Sequence, residues 1–151
     1  MLAIEEAIRK YLIDVDSGNV SNEKRLAARK KVSQHIENRI YHARIPQASA
    51  MPCLVLRTLG VEPMYSLTGE GLGTETMVQM DTFVRRESKL ALELGNWIRL
   101  AMSAYQGLMA DVRVSSCIMA RRSVFVNRPV DGNDDWTYQV SFDWRIFHYQ
   151  E

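Results

Sequence analysis

The chain has 151 residues, 46% hydrophobic and 25% charged, and its 19 Lys and Arg against 18 Asp and Glu leave a net charge of +1. That size and composition suit one globular domain over residues 1–151 and exclude the polar signature of disorder. The near-neutral total excludes a general attraction to nucleic acid or anionic membrane, and charge breaks every apolar run far short of the roughly 20 residues that span a bilayer.

Ile4, Ile8, Tyr11, Leu12 and Val15 recur at helical spacing among Glu5, Glu6, Arg9 and Lys10, which predicts an amphipathic helix that ends at Ser17-Gly18-Asn19. The opening residues lack the basic start, apolar middle and small-residue cleavage site of a secretory signal, so folding in the cytoplasm is expected. Ser21 or Asn22 caps a second helix, where Ala28, Val32, Ile36 and Ile40 form a narrow ridge expected to add little core. This helix is basic. Ser21 to Ile45 holds seven basic residues against two acidic, a balance of +5, whereas Asp131 to Glu151 holds one against five, a balance of −4.

Pro46 and Pro52 bracket a loop and release the chain in extended form. A Leu- and Val-rich strand is expected over 53–59, closed by Gly60. Next comes Ser66-Leu67-Thr68-Gly69-Glu70-Gly71-Leu72-Gly73, three glycines in five residues, read as a flexible loop before a return strand over 74–84. A third helix begins at Ser88, with Leu90, Leu94, Trp97, Ala101 and Leu108 on its core face and Gly107 near its end. Val112, Val114, Ser116, Ile118 and Ala120 then alternate with Arg113, Ser115, Cys117, Met119 and Arg121 as a half-buried strand. After the turn Asp131-Gly132-Asn133-Asp134, Trp136, Tyr138, Val140, Phe142, Trp144 and Ile146 form one apolar face of a closing strand. The order helix, helix, strand, strand, helix, strand, strand predicts an α+β domain: a mainly antiparallel four-stranded sheet with helices packed on one face.

Chemistry is sparse. The glycine loop has no Lys-Ser/Thr pair and leads into a strand, so it lacks the helix N-terminus that a phosphate site needs. His35, His42 and His148 have no companion carboxylates or thiols at metal-binding spacing. Cys53 and Cys117 lie in apolar segments and are expected to be reduced, buried thiols. Ser115-Ser116-Cys117 has no local base, and Asp134-Asp135 belong to a turn. No enzyme activity, cofactor or metal is expected. Two binding readings stay open: assembly with other proteins, and a nucleic-acid contact through the basic helix, which Arg85-Arg86 and Arg121-Arg122 could extend.

The order of elements, the stretch Asn38-Arg39-Ile40-Tyr41-His42-Ala43-Arg44-Ile45-Pro46-Gln47, the Pro52 that precedes the first strand and the closing Phe142-Asp143-Trp144-Arg145-Ile146 resemble the tail-completion and tail-terminator proteins of tailed phages. The chain departs from shorter members by carrying residues 16–33. The resemblance implies a structural virion protein, assembled in the host cytoplasm, that forms a homo-oligomeric ring of six subunits at the head–tail interface. Its implied partners are further copies of itself, the tail-tube and head-connector proteins, and passing DNA through non-specific contact; no membrane is implied. Heterologous ring contacts join two different patches. The candidate contact residues are Lys24, Arg25, Arg29, Lys30 and Lys31 on the basic helix, Gly69, Glu70, Gly71 and Gly73 in the loop, and Asp131, Asp134 and Asp135 in the acidic turn.

Overall fold

The computed structural model describes residues 3–14, 23–46, 50–65, 67–69, 71–127 and 136–150. The expected helix ends and caps at 15–22, together with Glu70, Asp131, Asp134 and Asp135, lie outside them. Helix α1 spans Ala3–Ile13 and helix α2 Glu23–Ile36. Strand β1 (Ile40–His42) and strands β2 (Cys53–Tyr65) and β3 (Gly71–Arg85) precede helix α3 (Ser88–Met102), and β4 (Gly107–Met109), β5 (Val112–Asn127) and β6 (Thr137–Gln150) complete the chain.

The class is α+β as expected, but the sheet has six strands in the order β1-β2-β3-β6-β5-β4, and it is mixed because β1 runs parallel to β2. The four long strands are the expected ones and pair antiparallel throughout. The two additions are three-residue edge strands, too short for alternation to mark them. Ile40 was expected on the ridge of the second helix. Instead Glu37 takes a left-handed φ of 57° after α2, and the chain turns so that Ile40 pairs with Leu54. Arg39 fixes this turn, its Nη2 donating to the His35 carbonyl at the helix end (2.7 Å) and its Nε to the Pro52 carbonyl (2.8 Å). Leu108 was expected on the third helix. The helix stops at Met102, Ala104 turns at φ 58°, and Leu108 enters β4 opposite Arg113.

The buried faces of all three helices join one cluster with the inward residues of the sheet, among them Leu54, Leu56, Val78, Met80, Val140, Phe142, Trp144 and Ile146. Helix α2 contributes more than its sequence suggests: Ala28, Val32 and Ile36 are all buried in that cluster. Gly95 brings α3 close to the sheet, since a Cβ there would sit 3.1 Å from Val140 Cγ1. Two bulges, at Val114/Ser116 and Met119/Arg121, break the alternation of β5. The first switches parity, so the buried face is Val112, Val114 and Cys117, where unbroken alternation would have put Ser116. Trp136 precedes β6 and is exposed, although its apolar companions are buried or partly buried.

The other face of the sheet is polar. Across the register run Arg57, Gln79, Asp143 and Arg121; Met77, Arg145 and Ile118 form the next row of that face, and Glu62, Glu75, Phe147 and Ser116 the row after. Arg145 Nε meets Glu75 Oε1 at 3.0 Å, and Arg57 Nη2 lies 3.8 Å from the buried Asp81 carboxylate.

Candidate assembly surfaces

The basic helix α2 divides its cations between two tasks. Lys24, Lys30 and Lys31 are exposed. Arg29 has no solvent exposure. Its Nε and Nη2 donate to the Tyr11 carbonyl (2.9 and 2.6 Å), Nη2 also reaches the Asp14 carbonyl (3.2 Å), and its guanidinium lies 3.9 Å from the centre of the Tyr11 ring. A cation thus satisfies carbonyls that the end of α1 leaves without helical partners. Arg25 is partly buried, donating to the Ser103 carbonyl at 2.9 Å over the Tyr105 ring. Tyr11 itself donates to the Ala101 carbonyl at 2.6 Å, and burial pushes its hydroxyl pKa well up, against the opposing pull of Arg29. Arg29 therefore holds helices together and offers nothing to a partner, and Arg25 is largely committed in the same way. The sequence reading grouped the five cations as contact candidates; the packing separates them.

Lys24 and Lys31 flank an apolar groove of about 290 Å³ between α2 and α3, floored by Ala27, Ala28, Trp97 and Leu100. His35 stacks on Trp97 at 5.3 Å, and Lys31 Nζ stands 5.9 Å from the same ring. Trp97, expected on the core face of α3, packs against the core while partly buried and also floors this groove, which the sequence reading did not single out.

The glycine-rich loop is shorter than expected because the strands run into it. β2 continues past Gly60 through a bulge to Tyr65, and β3 already starts at Gly71, which pairs with Tyr65. The result is a hairpin arm whose β2 side is exposed from Leu59 onward, with Tyr65 at 67% exposure. Gly69 and Gly71 have open space around them. Gly73 does not: at φ 119°, a Cβ would meet the His148 carbonyl and the Phe147 ring at 3.1 Å, so Gly73 serves the packing of β3 against β6.

The remaining polar groups read as structural. His42 Nδ1 lies 3.4 Å from Glu5 Oε1, joining β1 to α1, and His148 Nε2 lies 2.8 Å from Thr76 Oγ1. Cys53 and Cys117 are free and buried, and burial pushes their thiols up to about 11 and about 12. Among the described residues no three His, Cys, Asp or Glu side chains converge as a metal site, and no helix is long and apolar enough to cross a membrane.

Residues 24–149 match the family described as Tail completion protein gp17. The chain belongs to that family. It is accordingly a structural tail protein and a component of a phage-type virion. The match begins within α2 and runs to the last residues of β6, so the basic helix lies inside the family's span. Among solved structures, a chain from "Virion of native gene transfer agent (GTA) particle" superposes with a TM-score of 0.51 at 13% identity, covering 97% of this chain and 99% of its own. At that identity the likeness extends to the fold. No curated protein matches the sequence.

Proposed function

We propose that this protein terminates the tail tube and joins it to the head connector as a homo-oligomeric ring of six subunits, built from the single tail-completion domain over residues 1–151. The observation that carries the proposal is the family match over 24–149. The surfaces support it in kind. The described residues offer an exposed apolar arm, an apolar groove and exposed strand edges, which suit protein contacts. In this reading Lys24, Lys30 and Lys31 and the arm around Gly69, Glu70 and Gly71 are partner contacts, with the acidic segment Asp131, Asp134 and Asp135 available to the basic helix of a neighbour. DNA passing through the ring makes non-specific contact with it.

The nucleic-acid reading loses ground on the burial of Arg29 and the commitment of Arg25, which leave Lys24, Lys30 and Lys31 as the exposed cations of α2, and fewer phosphate contacts release fewer counterions. Light scattering behind size-exclusion chromatography, across concentration and at two salt strengths, tests the ring. A hexamer-sized species, alone or on added tail tubes, is expected; a strict monomer under both conditions would refute the ring.

A further inference from the structure

We propose that the open stretch of β5 from Arg121 to Asn127 receives the exposed β2 edge of a second copy of this chain as an added antiparallel strand. The inference rests on the ring reading and names its seam.

Each outer edge of the sheet is covered at one end alone. β1 pairs with Leu54–Leu56 of β2, and β4 pairs with Val112–Val114 of β5. Among the described residues no strand covers β2 from 57 to 65 or β5 from 116 to 127. An uncovered edge presents a row of unpaired N–H and C=O groups, and natural proteins blunt such edges unless a partner uses them. From Arg121 to Asn127, β5 has no bulge and no proline. Its Val124, Phe125 and Val126 are 50%, 46% and 55% exposed, so both sides of the strand are apolar there. The β2 edge carries the exposed Leu59 and Val61, and it is interrupted by the bulge near Leu59 and by Pro63, which lacks an N–H. It can therefore join a partner over a few residues without propagating into an aggregate.

Geometry selects this pairing over β5 against β5. Strands β2 and β6 run one way and β3 and β5 the other, so the β2 of a neighbour related by ring rotation lies antiparallel to β5 and continues the alternation. The two covers sit at opposite ends of the sheet. Through the register, Leu54–Leu56 under β1 stand level with Arg122 to Val124, and the open end of β2 stands level with the end of β5 under β4. Joining open edge to open edge thus displaces each copy along the strand direction, the stagger by which a sheet closes into a barrel. Two different patches meet, which generates a ring, whereas β5 against β5 ends at a dimer and leaves β2 bare. Charge agrees: exposed Glu62 on β2 and exposed Arg121 on β5 belong to the same face of the sheet and have opposite sign.

The test is a chain carrying both Val61→Cys and Val124→Cys, treated with a short bismaleimide at a concentration where light scattering shows the wild type assembled, alone or on tail tubes. Cys53 and Cys117 are buried and leave the new thiols as the reactive ones. The expected result is a ladder of covalent oligomers from the double variant and none from either single variant. Covalent dimers from Val124→Cys alone would show β5 paired with itself and overturn the proposal. An assembled protein that gives no ladder would overturn it while leaving the ring standing, and a wild type that never assembles would bring down the ring and the seam together. As a second variant, Val124→Lys with Val126→Lys is expected to weaken self-association roughly tenfold or more with an unchanged circular dichroism spectrum, since both positions face solvent in the single chain. Unchanged association in that variant also overturns the seam.

Discussion

At the scale of single residues, Arg29 shows how a fully buried charge can be structural. Its guanidinium satisfies two carbonyls and lies over a tyrosine ring, a combination that a lysine cannot reproduce. Arg29→Met should cost about 2–4 kcal/mol, and Arg29→Lys should recover little of it, as read from urea unfolding. Little in the sequence betrays this role. The one signal is its place beside Ala28 and one turn before Val32, on the flank of the buried ridge. His148 gives a pH signature. Burial lowers its pKa below the ordinary 6.5. The unfolded chain therefore takes up a proton first as the pH falls, so this site's contribution to stability declines from about pH 6.5 downward. The urea midpoint should drop between pH 7.5 and 5.5, and His148→Gln should flatten that part of the drop. The two thiols supply a further check. With burial and pKa values of about 11 and about 12, Cys53 and Cys117 should resist maleimide in the native protein at pH 7.5 and react only as fast as it unfolds.

At the scale of elements, periodicity identified all three helices and the four long strands, because each buries a face wide enough to repeat several times. It failed where the repeat was too short or was interrupted. Ile40–His42 and Gly107–Met109 are three residues each and gain their identity from the strands they cover. In β5 the extra residue Ser115 moves Cys117 onto the buried face, and alternation alone cannot register such an insertion. Deleting Ser115 would force Val112 and Val114 out of the core or turn Cys117 and the following residues outward. The expected cost exceeds about 3 kcal/mol, seen as a lowered urea midpoint or loss of soluble protein. The exposed edge was also hidden in the sequence. Val124-Phe125-Val126 lies beyond the alternation that marked β5 over 112–121, and the topology shows that no strand from the described residues covers it.

At the scale of the whole molecule, the candidate contacts separate into different roles. The basic helix supplies exposed lysines beside a groove, the arm supplies apolar side chains, and the β5 edge supplies backbone. Contacts of these three kinds respond differently to salt. If the seam is the β5 edge, raising ionic strength should weaken the assembly modestly, because backbone pairing and apolar burial carry it and screening acts on the rim charges. A steep loss of assembly across the two salt strengths would instead place the seam between the lysine helix and an acidic partner surface. The polar face of the sheet has its own consequence. There Arg57 and Arg145 stand beside Asp81 and Glu75, so cations and carboxylates alternate and neither sign accumulates. A polyanion drawn across such a face gains little by displacing its counterions, and each attraction is answered by a repulsion one strand away. The face would let a nucleic acid slide past without gripping it.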